Sequence, residues 1–280
     1  MLRRILALSL LSLGAAGLIA QQPAVSAPTP DGLKPSSTFP LDPAKYATLV
    51  RDSYYHPNQL SGLNCNVSVD WASLFASLKT SVPPERLKAV QGLIAHVQSS
   101  PGKVPTITFD WTAGVINEKD QMESSIRQMV SGFYQMYWSM FADSPLKSGS
   151  EIKKVEPQPD GGSILYIETA NSTTNITLDK NNVPVHYTFS APTMSGTIDP
   201  TYTPSPNPVP GDLRRLTEIK VSNHVGTSTM DVDVTLDYQS VGGFYIPQHA
   251  IFAVGGAYSL KMEFSGCAVS KEIPLVPDAK

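Results

Sequence analysis

Two runs in the C-terminal third alternate strictly between apolar and polar residues. Met230, Val232, Val234, Leu236 and Tyr238 alternate with Asp231, Asp233, Thr235 and Asp237, and Tyr258, Leu260, Met262 and Phe264 alternate with Ser259, Lys261 and Glu263. With Gly242-Gly243 and Gly255-Gly256 as turns, this period of two predicts an antiparallel meander, dry on one face and wet on the other. Parity breaks after Phe264, because Cys267 and Val269 are odd-numbered, so a bulge is expected at Ser265-Gly266 if the cysteine points inward. Pro247 cannot donate to a ladder and predicts a bulge or an unpaired edge in the middle strand.

A one-sided sheet needs a cover, and the chain supplies one. Asn117 reads as an N-cap with Glu118 and Asp120 in the first turn. Met122, Ile126, Met129, Phe133, Tyr137, Met140 and Phe141 then draw one apolar stripe, widened by Val130, Tyr134 and Trp138. A helix this broadly apolar has to be covered on more than one side, by sheet, helix or ligand. Shorter helices are expected from Asp42-Pro43 to His56-Pro57-Asn58, with Tyr46, Val50 and Tyr54 on one face, and from Pro83-Pro84-Glu85 to Ser99, with Leu87, Val90, Ile94 and Val97 in phase.

Further strands are expected at Leu63–Val69, with Cys65, Val67 and Val69 on one face, and at Pro105–Trp111, Ser163–Ala170, Thr174–Asp179 and Val183–Ser190. The last two are joined by a hairpin-like Lys180-Asn181-Asn182. Ala191–Leu213, rich in proline and poor in apolar residues, reads as a long loop and not as a strand, a disordered insert ahead of the alternative, a functional loop. The fold class is α+β, an antiparallel sheet packed against one long helix and shorter ones, with residues 41–280 as a single domain.

At the N-terminus Arg3 and Arg4 precede an uncharged apolar run, Ile5–Ala20, and Val25-Ser26-Ala27 offers a cleavage point, so Met1–Ala27 reads as a secretory signal peptide. A retained anchor is the alternative, although the run is short of the ~20 apolar residues a span needs. Residues 28–40 read as a disordered tether. Cleavage takes away two arginines and no acid, so 21 basic against 24 acidic residues become 19 against 24, a net charge of −5. Nucleic acid and anionic membrane surfaces, which select a basic footprint, are thereby disfavoured as partners. Export makes a Cys65–Cys267 disulfide between the first strand and the last plausible, the alternative being two separate buried thiols. Closing that loop contributes about 5 kcal/mol on the chain-entropy model.

No reaction is written in the chain. His56, His96, His186, His224 and His249 are scattered singly and read as structural or surface residues. Asp231, Asp233 and Asp237 share a strand face, but ~7 Å per two-residue step spreads them too far for one ion, so they read as a solvated face. There is no Gly-x-Ser-x-Gly elbow, Walker loop, dinucleotide fingerprint or Cys-x-x-Cys pair. The expectation is a protein without cofactor or metal, and not an enzyme.

The run Leu236-Asp237-Tyr238-Gln239-Ser240-Val241-Gly242-Gly243-Phe244-Tyr245-Ile246-Pro247, in an exported chain with an N-terminal helix and an antiparallel sheet, is similar to the lipoprotein-localisation carriers of the bacterial periplasm, the LolA-like group. The resemblance implies a curved sheet, a half-open barrel lidded by helices, enclosing an apolar cavity for acyl chains. It carries over no individual binding residue. The stripe and the dry strand face nominate Met129, Phe133, Tyr137, Met140, Phe141, Leu260, Met262 and Phe264 as the lining. Methionines on such a helix give an adaptable apolar surface, and each buried CH₂ of a ligand contributes roughly 0.8 kcal/mol. The expected function is a periplasmic carrier or sensor of a lipid or acyl-chain ligand. The alternative is a non-catalytic envelope module with a filled core and a protein partner.

Overall fold

The computed structural model describes residues 43–57, 59–79, 81–111, 119–142, 146, 151–169, 171–204 and 213–271. The expected leader, the tether, the Asn117 cap and the centre of the proline run lie outside them. The elements are α1 (Pro43–Asp52), β1 (Leu60–Val69), α2 (Trp71–Ser77), α3 (Pro84–Gln91), β2 (Leu93–Ser99), β3 (Thr106–Trp111) and α4 (Lys119–Met136), which runs into a π-helical turn at Tyr137–Phe141. Then come β4 (Ile152–Pro157), β5 (Ser163–Glu168), β6 (Thr173–Leu178), β7 (Pro184–Ala191), β8 (Met194–Thr203), β9 (Arg215–Val225), β10 (Ser228–Val241), β11 (Phe244–Val254) and β12 (Tyr258–Lys271). All twelve strands join one open antiparallel sheet in the order β3-β2-β1-β12-β11-β10-β9-β8-β7-β6-β5-β4. The expected α+β class, sheet with helices, is what the chain forms. Residues 57–142 and 236–271 make one compact unit and 43–56 and 146–235 another, the division falling inside β10.

In the first unit the period of two puts Leu63, Cys65, Val67 and Val69 of β1 and Leu260, Met262 and Phe264 of β12 on the buried face. Asn64 pairs with Ala268 and Asn66 with Ser265, so Cys65 faces one residue too many and the strand bulges, with Gly266 at φ +56°. The expected bulge is therefore present, and it brings Cys267 against Cys65 in a disulfide with 4.2 Å between Cα atoms. Pro247 is accommodated nearby. Registered β11–β12 pairing runs from His249 to Val254, and the Gln239 side-chain amide donates to the Pro247 carbonyl at 3.0 Å and to that of Phe264 at 2.9 Å.

Helix α3 stops at Gln91, and residues 93–99, expected as its continuation, form β2. Leu93, Ala95, Val97 and Ser99 are buried while Ile94, His96 and Gln98 face outward, a period of two that Val90, Ile94 and Val97 disguise as helical. Gly92 ends the helix and lets the tighter alternation take over.

Helix α4 covers the sheet edge as well as its face. Lys119 lies over the Trp111 ring, the Trp111 indole donates to Glu123 at 2.7 Å, and Arg127 donates to the Ile107 carbonyl at 2.6 Å while sitting 5.0 Å from the Phe109 ring centroid. Residues 119, 123 and 127 are successive turns of one helix stripe, so the helix runs beside β3 and occupies an edge that is otherwise open to another strand.

In the second unit Tyr46, Val50 and Tyr54 of the α1 segment are buried as their spacing predicts. Residues 194–203 correct the expected loop, because they form β8, paired with β7 and β9. The alternation is hard to see there because the inward positions include Gly196, opposite Phe189 of β7. A Cβ at Gly196 would lie 2.8 Å from Phe189 Cζ, so the ring fills the space a side chain would take. Registered pairing with β7 ends at Ile198, which leaves Pro200 on a stretch bound to β9 alone, where a missing N–H is tolerated. The strands β4 and β9 carry no clear alternation either. Each is broken by a register shift, between Ile152 and Lys154 and opposite Thr201/Tyr202.

Candidate functional site

Three of the nominated residues, Phe133, Tyr137 and Phe264, meet in the first unit. Phe133 lies 4.9 Å from Phe264 and 6.1 Å, edge-on, from Phe252, and it stacks on Tyr137 at 6.0 Å. Tyr134 meets Phe264 edge-on at 6.2 Å. Phe252 of β11, inward by the same parity as Ala250, completes the ring cluster. Its strand lacked the clean alternation of its neighbours, so only its parity could have singled it out.

Burial defines what this cluster is. Phe133 and Met262 are 0 % exposed, Tyr137 1 %, Phe141 and Phe264 3 %, Met129 4 % and Leu260 5 %. A side chain beside a hollow wide enough for water would keep accessible surface, and these seven keep almost none. Met140 is half-buried, because the π-helical turn shifts the stripe out of phase after Met136. The same turn seats Trp138, whose indole donates to the buried Ser99 hydroxyl at 2.6 Å.

One polar atom in this greasy setting stands out. The Tyr134 hydroxyl is buried without a hydrogen-bond partner among the described residues, and burial holds its pKa above the usual phenol range. The hydroxyl of Tyr258, at the start of β12, is likewise buried without a partner, and burial pushes it up to about 12.

The wet face carries the charges. His96 sits between Asn66 Oδ1 at 2.7 Å and Asp110 Oδ2 at 2.8 Å, His186 pairs with Asp199 at 2.5 Å, and His249 lies 3.5 Å from Asp237 and 3.9 Å from Glu263. His224 is 2.9 Å from the Thr229 hydroxyl. These four are surface residues matched to neighbouring strands, in keeping with the sequence reading. Asp231 accepts from the Ser222 hydroxyl at 2.7 Å, and Asp237 lies 3.5 Å from His249. Among the described residues no cluster of three or more His, Cys, Asp or Glu could hold a metal ion, and no helix is long and apolar enough to cross a membrane. His56 differs from the other four histidines in being buried, which the sequence, reading it only as a helix stop, does not signal.

No family model matches the chain, and no curated protein matches it. Among solved structures the chain is similar to MucB, in a crystal structure of MucB in complex with MucA(peri), at 7% identity over 82% of this chain and 94% of that chain, with a TM-score of 0.18. At that score the two share a faint outline and nothing finer.

Proposed function

We propose that this chain is an exported, non-catalytic binding module that engages a protein partner at its surface, the interior under α4 serving as core. The closed ring cluster carries this reading. To admit an acyl chain, α4 would have to give up the burial of Phe133, Tyr137, Phe141, Phe264 and their neighbours, at roughly 1.5–3 kcal/mol for each large side chain. An acyl chain of about sixteen carbons returns roughly 13 kcal/mol at 0.8 kcal/mol per CH₂, and the four named side chains alone offset about half to nearly all of it. The disulfide supports an oxidising compartment, and the wet face offers a broad polar surface for docking.

Native mass spectrometry of the exported protein is the test, combined with photocrosslinking from wet-face positions such as Thr197 and Asp231. The reading expects no co-purified lipid and a discrete protein adduct from the wet face. Retained lipid, or crosslinks that never form, overturns it. The lipid-carrier reading has one observation in its favour, the unpartnered Tyr134 hydroxyl, which a ligand's polar atom would satisfy. In that case Phe133→Asp and Met262→Asp abolish uptake of a fluorescent fatty acid by the folded protein.

A further inference from the structure

His56 closes the α1 segment of the second unit and is 6 % exposed. Both ring nitrogens are buried, and among the described residues neither has a hydrogen-bond partner. The ring packs on Tyr54 with centroids 4.1 Å apart, and Tyr54 in turn meets Tyr202 of β8 at 5.0 Å, edge-on. The Tyr55 amide donates to the Arg214 carbonyl at 2.7 Å, just ahead of β9. The segment is thus moored through three consecutive residues, and the last of them is an imidazole kept dry and unpaired.

We propose that His56 is an acid-operated latch, whose protonation releases α1 and Tyr54 from the second unit and uncovers the apolar side chains they shield. A charged imidazole needs two acceptors, and this pocket provides none. The cheapest way to hydrate the charge is to withdraw the segment that bears it. The charged groups acting on the ring are both from α1: Arg51, which opposes protonation, and Asp52, which favours it more weakly. Across the contact with β8 stands Tyr202, backed by Tyr187 and, further off, Asp179, and the Tyr187 and Tyr202 hydroxyls are held well above the usual phenol range by burial. They therefore stay neutral throughout the acid range.

Burial, reinforced by Arg51, lowers the His56 pKa from 6.5 to about 4. The released segment, with its ordinary pKa, binds the proton in preference to the docked one. Docking is accordingly at full strength above pH 6.5, weakens as pH falls towards 4 and levels off below. Between about pH 7.5 and about pH 5 the opening equilibrium rises roughly 30-fold.

Hydrogen–deuterium exchange of the full chain, corrected for the pH dependence of chemical exchange, reads this directly. Peptides spanning Pro43–His56 should lose protection by that roughly 30-fold factor while β9 and β10 peptides hold theirs, and His56→Phe should remove the change. Unaltered protection of the wild-type segment, an equal rise in His56→Phe, or a uniform rise over the whole unit overturns the latch. Should His56→Phe fail to fold, NMR titration of the wild-type imidazole decides instead. A midpoint far below those of the surface histidines supports the proposal, and one among them refutes it.

Discussion

Gly196→Ala is expected to destabilise the protein although it adds a single methyl to a strand. The new Cβ would fall inside contact distance of the Ser222 carbonyl oxygen on β9 and lie 2.8 Å from Phe189 Cζ on β7. One obstacle is a side chain that can rotate, and the other is backbone held in the β8–β9 ladder, where Gly196 is registered with Asn223. Gly196 has an ordinary backbone conformation, so alanine stiffens the unfolded chain and gains about 0.4–1 kcal/mol. Overpacking against fixed neighbours costs about 1–3 kcal/mol, which outweighs that gain. The net loss is about 1–2 kcal/mol, and for a chain of this size each kcal/mol lowers Tm by roughly 2–4 °C. Thermal unfolding followed by circular dichroism measures it. A Phe189→Leu/Gly196→Ala double-mutant cycle then divides the strain, since relief by the smaller side chain assigns it to the ring and its absence to the carbonyl. A Gly196→Ala protein within about 0.5 kcal/mol of wild type would refute the packing argument.

The paired Cys65→Ser/Cys267→Ser variant is expected to lose up to about 5 kcal/mol, because the bond closes a separation of 202 residues, and a lowered urea midpoint with a steeper slope, from the less compact unfolded chain, is the readout. Phe133→Ala, at a site with 0 % exposure and two cross-element ring contacts, should cost about 3–5 kcal/mol by equilibrium unfolding; a cost under 1 kcal/mol would mean that the space beneath α4 collapses or was never filled. Arg127→Ala frees the Ile107 carbonyl at the β3 edge and should produce larger species in sedimentation velocity than wild type, whereas unchanged sedimentation would show that the helix backbone alone protects that edge.

What could be read from the residues follows from how strongly each segment keeps one period. The meander from β10 to β12, the long helix and the bulge beside Cys267 were legible because alternation, the apolar stripe and a parity change are local signals that the fold does not override. β2 reads as helix from the residues alone, since Val90, Ile94 and Val97 satisfy a helical spacing by coincidence while the alternation that prevails begins only after Gly92. β8 hid behind a glycine and prolines, because its inward position at Gly196 is filled by a ring from the next strand, a fact that no single-strand pattern contains. In the candidate site Phe133, Tyr137 and Phe264 do meet, yet whether such residues enclose a hollow or fill it depends on side chains of Phe252 and Phe264 meeting those of α4. Binary patterning is blind to that difference. The isolation of His56 is a property of the pocket, not of its neighbours along the chain.

The sheet order has a consequence for how the protein reaches its native state. Strands β4 to β9 lie beside their neighbours in the chain, so the second unit can zip up hairpin by hairpin as the chain is made. β1, by contrast, waits for β12, and α4 is made before the Phe252 and Phe264 that its Phe133 rests on. Until β11 and β12 are made, Phe133 and Tyr134 of α4 lack the strand rings they pack against, so the first unit closes last.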